Sequence, residues 1–328
     1  MSSDQSPSAQ SPSAQSPSAQ SPSAQSPSTA GPAAADAAPS PDALLIRRLG
    51  PVLRAGLSAA LAPDRETHLL HAEAAHQLCL ADGLLELLDW TRQGVPADPL
   101  ACLWLSSLRW HRLLTGAFPD GAPEPPRRPL DAGLAALLQE PHPRLRLQAD
   151  TGGVSLAGLA DGEMAYLSAP SQPSARDAAG LVRLVPLALV PYVEEQMLLS
   201  WAEQALALTQ GHPEVLSSAR ELISLIRSIA QRPHMPEAER QAAVRRADDL
   251  MAGADDGARA VVRAQVAAAA ASMQQDKPME QDKPVEQNSP EDSAARVGAA
   301  PAPVLPQELE DVLRTSLLTD WEQVTAPA

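Results

Sequence analysis

The stretch HLLHAEAAHQLCLADGLLELLDW, His68 to Trp90, brings histidines, carboxylates and a cysteine together. Imidazoles and carboxylates in close succession are the side chains from which metal sites and acid–base pairs are built. Zinc held by a single helix needs two histidines four apart on one face, with a glutamate next to the first. His71 and His76 are five apart, ~140° around a helix at 3.6 residues per turn, and Glu73 is out of place. HAE matches the first half of a zinc deaminase site, H-x-E. The second half, P-C-x-x-C, is not supplied by Cys79 or Cys102. Without a zinc pattern, the plain expectation is a helix with His71, Glu73, His76 and Asp82 on its polar faces. Leu78, Ala81, Leu84, Leu85 and Leu88 would then face a core.

Other chemistry-bearing patterns are weak. The chain has no G-x-S-x-G elbow, no phosphate-binding P-loop and no G-x-G-x-x-G. Gly152 and Gly153, in DTGGVSLAGL, can bring backbone amides close to a phosphate at a helix start. A glycine pair is also what an ordinary turn requires.

The elements that would position these residues read as helices. Apolar residues recur at helical spacing in DALLIRRLGPVLRAGLSAAL, where Pro51 marks a kink or restart, and again from His68 to Trp90, ending near Gly94. ADPLACLWLSSLRWHRLLTG carries Asp98 as cap, Pro99 in the first turn and Gly116 at the exit. RPLDAGLAALLQ is a short further helix. YVEEQMLLSWAEQALALTQG and HPEVLSSARELISLIRSIAQ form a hairpin about GHP, with His212 at the cap and Pro213 opening the second helix. Two more follow, in PEAERQAAVRRADDLMAG and DGARAVVRAQVAAAAASM. No segment shows convincing strand alternation, so the expected fold is all-α from Asp42 to Met273.

Composition agrees with packed helices. The chain has 328 residues, 44% of them hydrophobic and only 2% aromatic, so its core is Leu, Ala and Val. A net charge of -15 argues against nucleic-acid or anionic-membrane binding. No run of ~18 apolar residues exists to span a membrane. The start lacks a basic segment followed by an apolar one, and a cytoplasmic location is expected. Cys79 and Cys102 read as buried reduced thiols. Residues 1–41 hold a QSPSA pentad repeat and 274–304 a DKP-containing hexad repeat, both too polar to bury themselves and expected to be disordered spacers. A last helix is expected within 305–328, from PQELEDVLRTSLLTDWEQV.

Taken in order, several segments resemble the ADP-ribosylglycohydrolase family, which removes ADP-ribose from modified proteins. GLVRLVPLALV, Gly180 to Val190, is similar to the family's G-x-M-R-x-x-P-x-G-L segment through Arg183 and Pro186. TQGHP is similar to its T-H-G-H-P through Thr209, Gly211, His212 and Pro213, and these positions are read as structural. DTGGVSLAGL resembles its Gly-Asn/Asp-Thr loop, and SSLRWHRLLTG one of its helices. The resemblance covers Leu44 to Ile229 and implies the family's helical fold.

It also implies what the opening helix has lost. The family's T-D-D-T falls on HAEA, so that His71 and Ala72 replace Thr and Asp, and Glu73 and Ala74 replace Asp and Thr. In active members these oxygens hold a magnesium pair beside the ribose; here Ala72 and Glu73 are degenerate metal positions. The early G-D-A-x-G falls near SAALA, Ser58 to Ala62, without its acid, and Glu66 stands near a further family glutamate. The late D-x-D-S/T is absent, with ADDL and ADDG offering adjacent acids and the second repeat tract lying where that region is expected. ARDAAG, Ala175 to Gly180, replaces the family's phosphate- and ribose-contacting loop. By resemblance the ligand positions are Gly152, Gly153 and Gly180. No cofactor and no metal are expected, and the partner implied is ADP-ribose or an ADP-ribosylated protein. The leading expectation is a non-catalytic binding or regulatory module. The alternatives are an active hydrolase with a metal site relocated to Glu66, Glu73, Asp82 and His76, and an unrelated helical scaffold.

Overall fold

A computed structural model of the chain describes residues 39–64, 67–139, 143–272 and 305–326. Glu66 and almost all of both repeat tracts lie outside the described residues, as do the expectations placed on them.

Helix α1, Pro41–Ala60, starts where the Ser40 hydroxyl accepts from the Ala43 amide at 3.2 Å with Pro41 in the first turn. Its stripe of Leu45, Leu49, Val52, Leu53 and Leu57 is buried. The expected break at Pro51 does not occur. The proline is on the exposed side, where water can satisfy the carbonyl that loses its partner, and the helix runs through.

The fold is mainly helical as expected, with one small sheet beside the helices. Strands β1, Leu61–Asp64, and β2, Thr67–His71, pair antiparallel, and β2 pairs in parallel with β3, Leu145–Gln148. His68 to His71 is therefore strand, and helix α2 begins only at Ala72 and runs to Arg92. Four- and five-residue strands are too short to declare a period of two, which is why the sequence hides them. The rest is mainly helical.

α2 is the centre of the molecule. The expected polar faces do not exist: every residue from Ala72 to Leu87 is buried, His76, Gln77 and Asp82 included. Small residues make this possible. A Cβ on Gly83 would stand 2.9 Å from the Ser106 Cβ, so the contact with α3, Pro99–Thr115, needs a glycine there. α3 is capped as expected, Asp98 accepting from the Leu100 amide at 3.0 Å and Gly116 leaving the helix at φ 82°. α4 is Pro129–Leu138. A 3₁₀ turn, Ala149–Gly152, leads into α5, Gly153–Leu159.

The segment similar to G-x-M-R-x-x-P is an eleven-residue 3₁₀ helix, Ala179–Leu189, buried along its whole length against α2. Such length is uncommon for this helix type. The hairpin of α6, Glu195–Ala207, and α7, Pro213–Ala230, packs on it. His212 caps α7 as expected, its Nδ1 accepting from the Glu214 amide at 3.2 Å, with Pro213 at the first position. α8, Glu237–Leu250, and α9, Asp256–Ala270, complete the body, α9 lying along α1. The final segment comprises α10, Gln307–Leu313, a π-helical turn, Arg314–Leu318, and α11, Thr319–Thr325, which packs on α2. No helix among the described residues is long and apolar enough to cross a membrane.

Candidate functional site

β2 and the 3₁₀ turn at 149–152 deliver the start of α2 to a corner where several motif segments meet. The backbone is tied first. The Ala72 amide donates to Thr151 Oγ1 at 2.8 Å, and the Trp110 indole donates to Ala72 O at 2.8 Å. The His71 imidazole caps α2 by accepting from the Glu73 amide through Nδ1 at 3.2 Å. That leaves Nε2 to face Asp255, whose two oxygens lie 3.2 and 3.3 Å away. Asp255 itself caps α9, accepting from the Ala258 amide at 3.0 Å. Burial alone would raise its pKa; the Ala258 amide and His71 together lower it.

Below this corner lies a buried polar cluster. Glu73, on the first turn of α2, is 1% exposed. It receives the Ser155 hydroxyl from α5, and the Arg183 guanidinium from the 3₁₀ helix at 3.2 Å. Arg183 Nη1 also donates to Ser155 Oγ at 2.9 Å, and Nη2 donates to Thr209 Oγ1 at 2.5 Å and Ala205 O at 3.5 Å. Burial would raise the Glu73 carboxyl, but the Arg183 charge, His76 and the Ser155 hydroxyl outweigh it and hold it down at about 2. Glu73 is thus an ionised, fully engaged carboxylate. His76, one turn on, stacks on Trp110 with ring centroids 4.1 Å apart. Burial and the Arg183 charge push its imidazole down to about 4, against the pull of Glu73, and it is neutral at pH 7.

His76 Nδ1 lies 3.4 Å from Glu73 Oε2, and Nε2 lies 2.9 Å from Ser107 Oγ. This is the order of a nucleophile, base and acid. The likeness ends at access. Ser107 is 1% exposed and His76 0%, so no substrate reaches the hydroxyl, which also lies 2.9 Å from the Leu103 carbonyl one turn back. These contacts are part of the core, and His76 Nδ1, at 3.4 Å from Glu73, makes no hydrogen bond.

The second expected acid is spent as well. Asp82 is buried and bound by Arg109 at 2.6 Å and by Nε and Nη2 of Arg128 at 3.0 and 3.1 Å. Glu73 and Asp82, two of the four residues of the alternative relocated metal site, are both buried in ion pairs. Ala72 is buried beneath Trp110 and Gly152. Among the described residues no three His, Cys, Asp or Glu side chains converge as a metal cradle. Magnesium takes several oxygens at short, fixed distance. The residues at this corner do not fit it: Glu73 and Asp255 already face guanidinium or imidazole groups, and Asp177, whose carboxylate accepts from the Ala179 amide at 2.7 Å, does not complete a cation site with them.

The glycines have packing roles. A Cβ on Gly152 would lie 2.9 Å from the Ala72 Cβ and from Trp110, and one on Gly180 would lie 2.7 Å from Arg183 Nη1. Of Gly152, Gly153 and Gly180, Gly153 is the one with open space around it, at the start of the seven-residue α5. Gly211 lies against Pro170 and Pro186 is buried within the 3₁₀ helix, so both belong to the frame. Sequence reasoning missed Ser107, Ser155 and Asp255. Glu73 and His76 are three apart, a spacing that signals contact on one helix face. Asp255 stands where a helix cap is expected, just before DGARAVVRAQ; what the sequence does not announce is that ADDG opens α9 against His71. Cys79 and Cys102 are free and buried as expected.

The sequence model of ADP-ribosylglycohydrolases matches residues 34–321, well beyond Leu44 to Ile229 and including α8, α9 and most of the final helical segment. No curated protein and no solved structure matches.

Proposed function

The chain belongs to the ADP-ribosylglycohydrolase family, and from that premise we propose that it serves as a non-catalytic binding or regulatory module. Membership sets aside the reading as an unrelated helical scaffold. One observation carries the proposal. Glu73, the acid remaining at the family's helix position, is buried and committed to Arg183 and Ser155, beside an Ala72 that offers no oxygen. A buried carboxylate whose charge a guanidinium already balances has little net charge left to attract a hard cation, and one such group does not make up the several oxygens that magnesium takes. Without such cations the family's way of orienting the ribose and stabilising charge at the breaking glycosidic bond is missing. The reading of an active hydrolase with a relocated site is disfavoured by Asp82, which two arginines enclose.

The partner we infer is ADP-ribose or an ADP-ribosylated protein, by family membership. The deciding measurement is calorimetric titration of ADP-ribose with and without magnesium, together with an assay on ADP-ribosylated arginine and serine. The expected outcome is no release of ADP-ribose and no effect of magnesium on any binding. Magnesium-dependent release by the wild-type chain overturns the proposal and restores the active reading.

A further inference from the structure

We propose that residues 123–129, the last part of the link between α3 and α4, form a ready-made polyproline strip that docks another protein through a groove lined with aromatic side chains. The strip lies outside the chemistry at the start of α2, and its role is independent of whether that corner binds ADP-ribose.

The link reads PEPPRRP, with proline at 123, 125, 126 and 129. Each proline holds its own φ at about −65° and pushes the residue before it to extended backbone. Arg128, before Pro129, has φ −121° and ψ 151°. Residues 123–128 are neither helix nor strand, and none of residues 123–127 takes part in a backbone–backbone hydrogen bond. Polyproline helix has these same features and repeats every three residues. At that spacing Pro123, Pro126 and Pro129 fall on one edge. All three are exposed, whereas Pro125, off that edge, is buried. One proline anchors the strip and three face outward.

Both ends are fixed. Upstream, Gly121 turns the chain at φ 80° and the Ala122 amide donates to Pro119 O at 3.2 Å. This turn presses on Gly162, where a Cβ would lie 2.6 Å from Asp120 O. Downstream, Arg128 Nε and Nη2 hold the buried Asp82 carboxylate, and the Arg128 amide donates to Asp131 Oδ2 at 3.3 Å. A strip already extended and held at both ends loses little conformational freedom when it docks. The surface that reads such a strip is a groove of aromatic rings. A second copy of this chain does not offer one: among the described residues, the tyrosine, tryptophan and phenylalanine rings that are exposed are Tyr166 and Tyr192 alone. The occupant is therefore a different protein.

The test is calorimetric titration of the full chain with a purified SH3 domain and a purified WW domain, two aromatic-groove readers of proline-rich segments. At least one is expected to bind with a micromolar to submillimolar Kd. Pro123→Ala/Pro126→Ala should weaken that binding by about tenfold or more. Its unfolding midpoint should stay within about 5 °C of wild type, because both rings are exposed. If the double variant does not fold, Pro126→Ala decides in its place by the same loss of binding. A free peptide of residues 119–131 should bind the same domain more weakly than the folded chain does, because nothing holds its ends. Failure of both domains to bind overturns the proposal. Binding that survives the proline substitutions belongs to the proline-containing repeats elsewhere in the chain and overturns it too. A free peptide that binds more tightly than the chain shows that the fold hides the strip rather than presenting it, with the same consequence.

Discussion

At the scale of single residues, the buried Glu73–His76–Arg183 group makes stability depend on pH in a definite direction. His76 titrates near 6.5 in an unfolded chain and at about 4 when folded. Between those values the unfolded state binds the proton and the folded state does not, so stability is full above pH 6.5 and falls as the pH drops toward 4. Glu73 behaves alike one step lower, its contribution complete above its ordinary 4.5 and lost as pH falls toward about 2. The chain should therefore lose on the order of 2–4 kcal/mol from pH 6.5 to 4 through His76 alone. His76→Gln should flatten that part of a stability–pH curve measured by urea unfolding; an unchanged slope would remove His76 as its source. Cysteine chemistry gives a second check. Burial raises both thiols, Cys102 to about 11 and Cys79 beyond it. Neither should react with a thiol reagent at pH 8 in the native state, and both should react in denaturant. Restoring acids is expected to restore nothing: Ala72→Asp with Glu73→Asp should show no magnesium-dependent hydrolysis, because Asp82 and Asp255 remain held by Arg109, Arg128 and His71.

At the scale of elements, one buried arginine shows how far helix ends govern this fold. Arg48 of α1 donates to Ala230 O and Arg232 O just past α7 and to Ala268 O and Ala271 O at the end of α9. Ala268 O also accepts from the Ala271 amide, but Ala230 O, Arg232 O and Ala271 O lie at or beyond helix ends, where a helix supplies no amide, so one guanidinium closes two C-termini. Arg48→Met keeps the apolar stem and strands the carbonyls. It should cost about 3 kcal/mol and lower the midpoint by roughly 5–10 °C, with α-helical circular dichroism retained below it. What was legible in the sequence follows the same division between local and distant chemistry. The caps at Asp98 and at His212–Pro213 are contacts within three residues, and they read correctly. The caps by His71 and Asp255 are equally local: the second stands just before a segment that reads as a helix, DGARAVVRAQ, whereas the first follows a strand and did not look like a helix start. The strands are too short to show alternation, and the 3₁₀ helix at 179–189 is buried on every side, with Arg183 as its one charged residue, so periodicity had little to act on. Arg183 and Glu73 meet across more than a hundred residues, which only the folded chain can bring together.

At the scale of the whole molecule, the final segment is bound into the core although a long tract outside the described residues precedes it. Leu309, Leu313, Leu317 and Trp321 are all buried, Trp321 at 1% exposure. α10 lies against α4, where the Val312 methyls leave no room for a Cβ on Gly133, and α11 lies against α2. Arg54 of α1 pairs with Glu310 at 2.7 Å, and Arg92 of α2 donates to Gln323 O at 2.7 Å. The ion pair is partly exposed and contributes little. Burial decides the matter: three leucines and a tryptophan at roughly 1.5–3 kcal/mol each are comparable with the net stability of an ordinary domain, about 5–15 kcal/mol. Ordering the segment offsets part of that gain. Removing it, however, also uncovers its partners on α1, α2 and α4. Deletion of residues 305–328 should therefore give a chain that binds a hydrophobic dye and aggregates or unfolds well below the wild-type midpoint. Trp321→Ala, which leaves the segment in place, should cost about 3–5 kcal/mol by leaving a cavity beside α2. A truncated chain that unfolds at the wild-type temperature would show the segment to be an appendage, and the core would then end with α9.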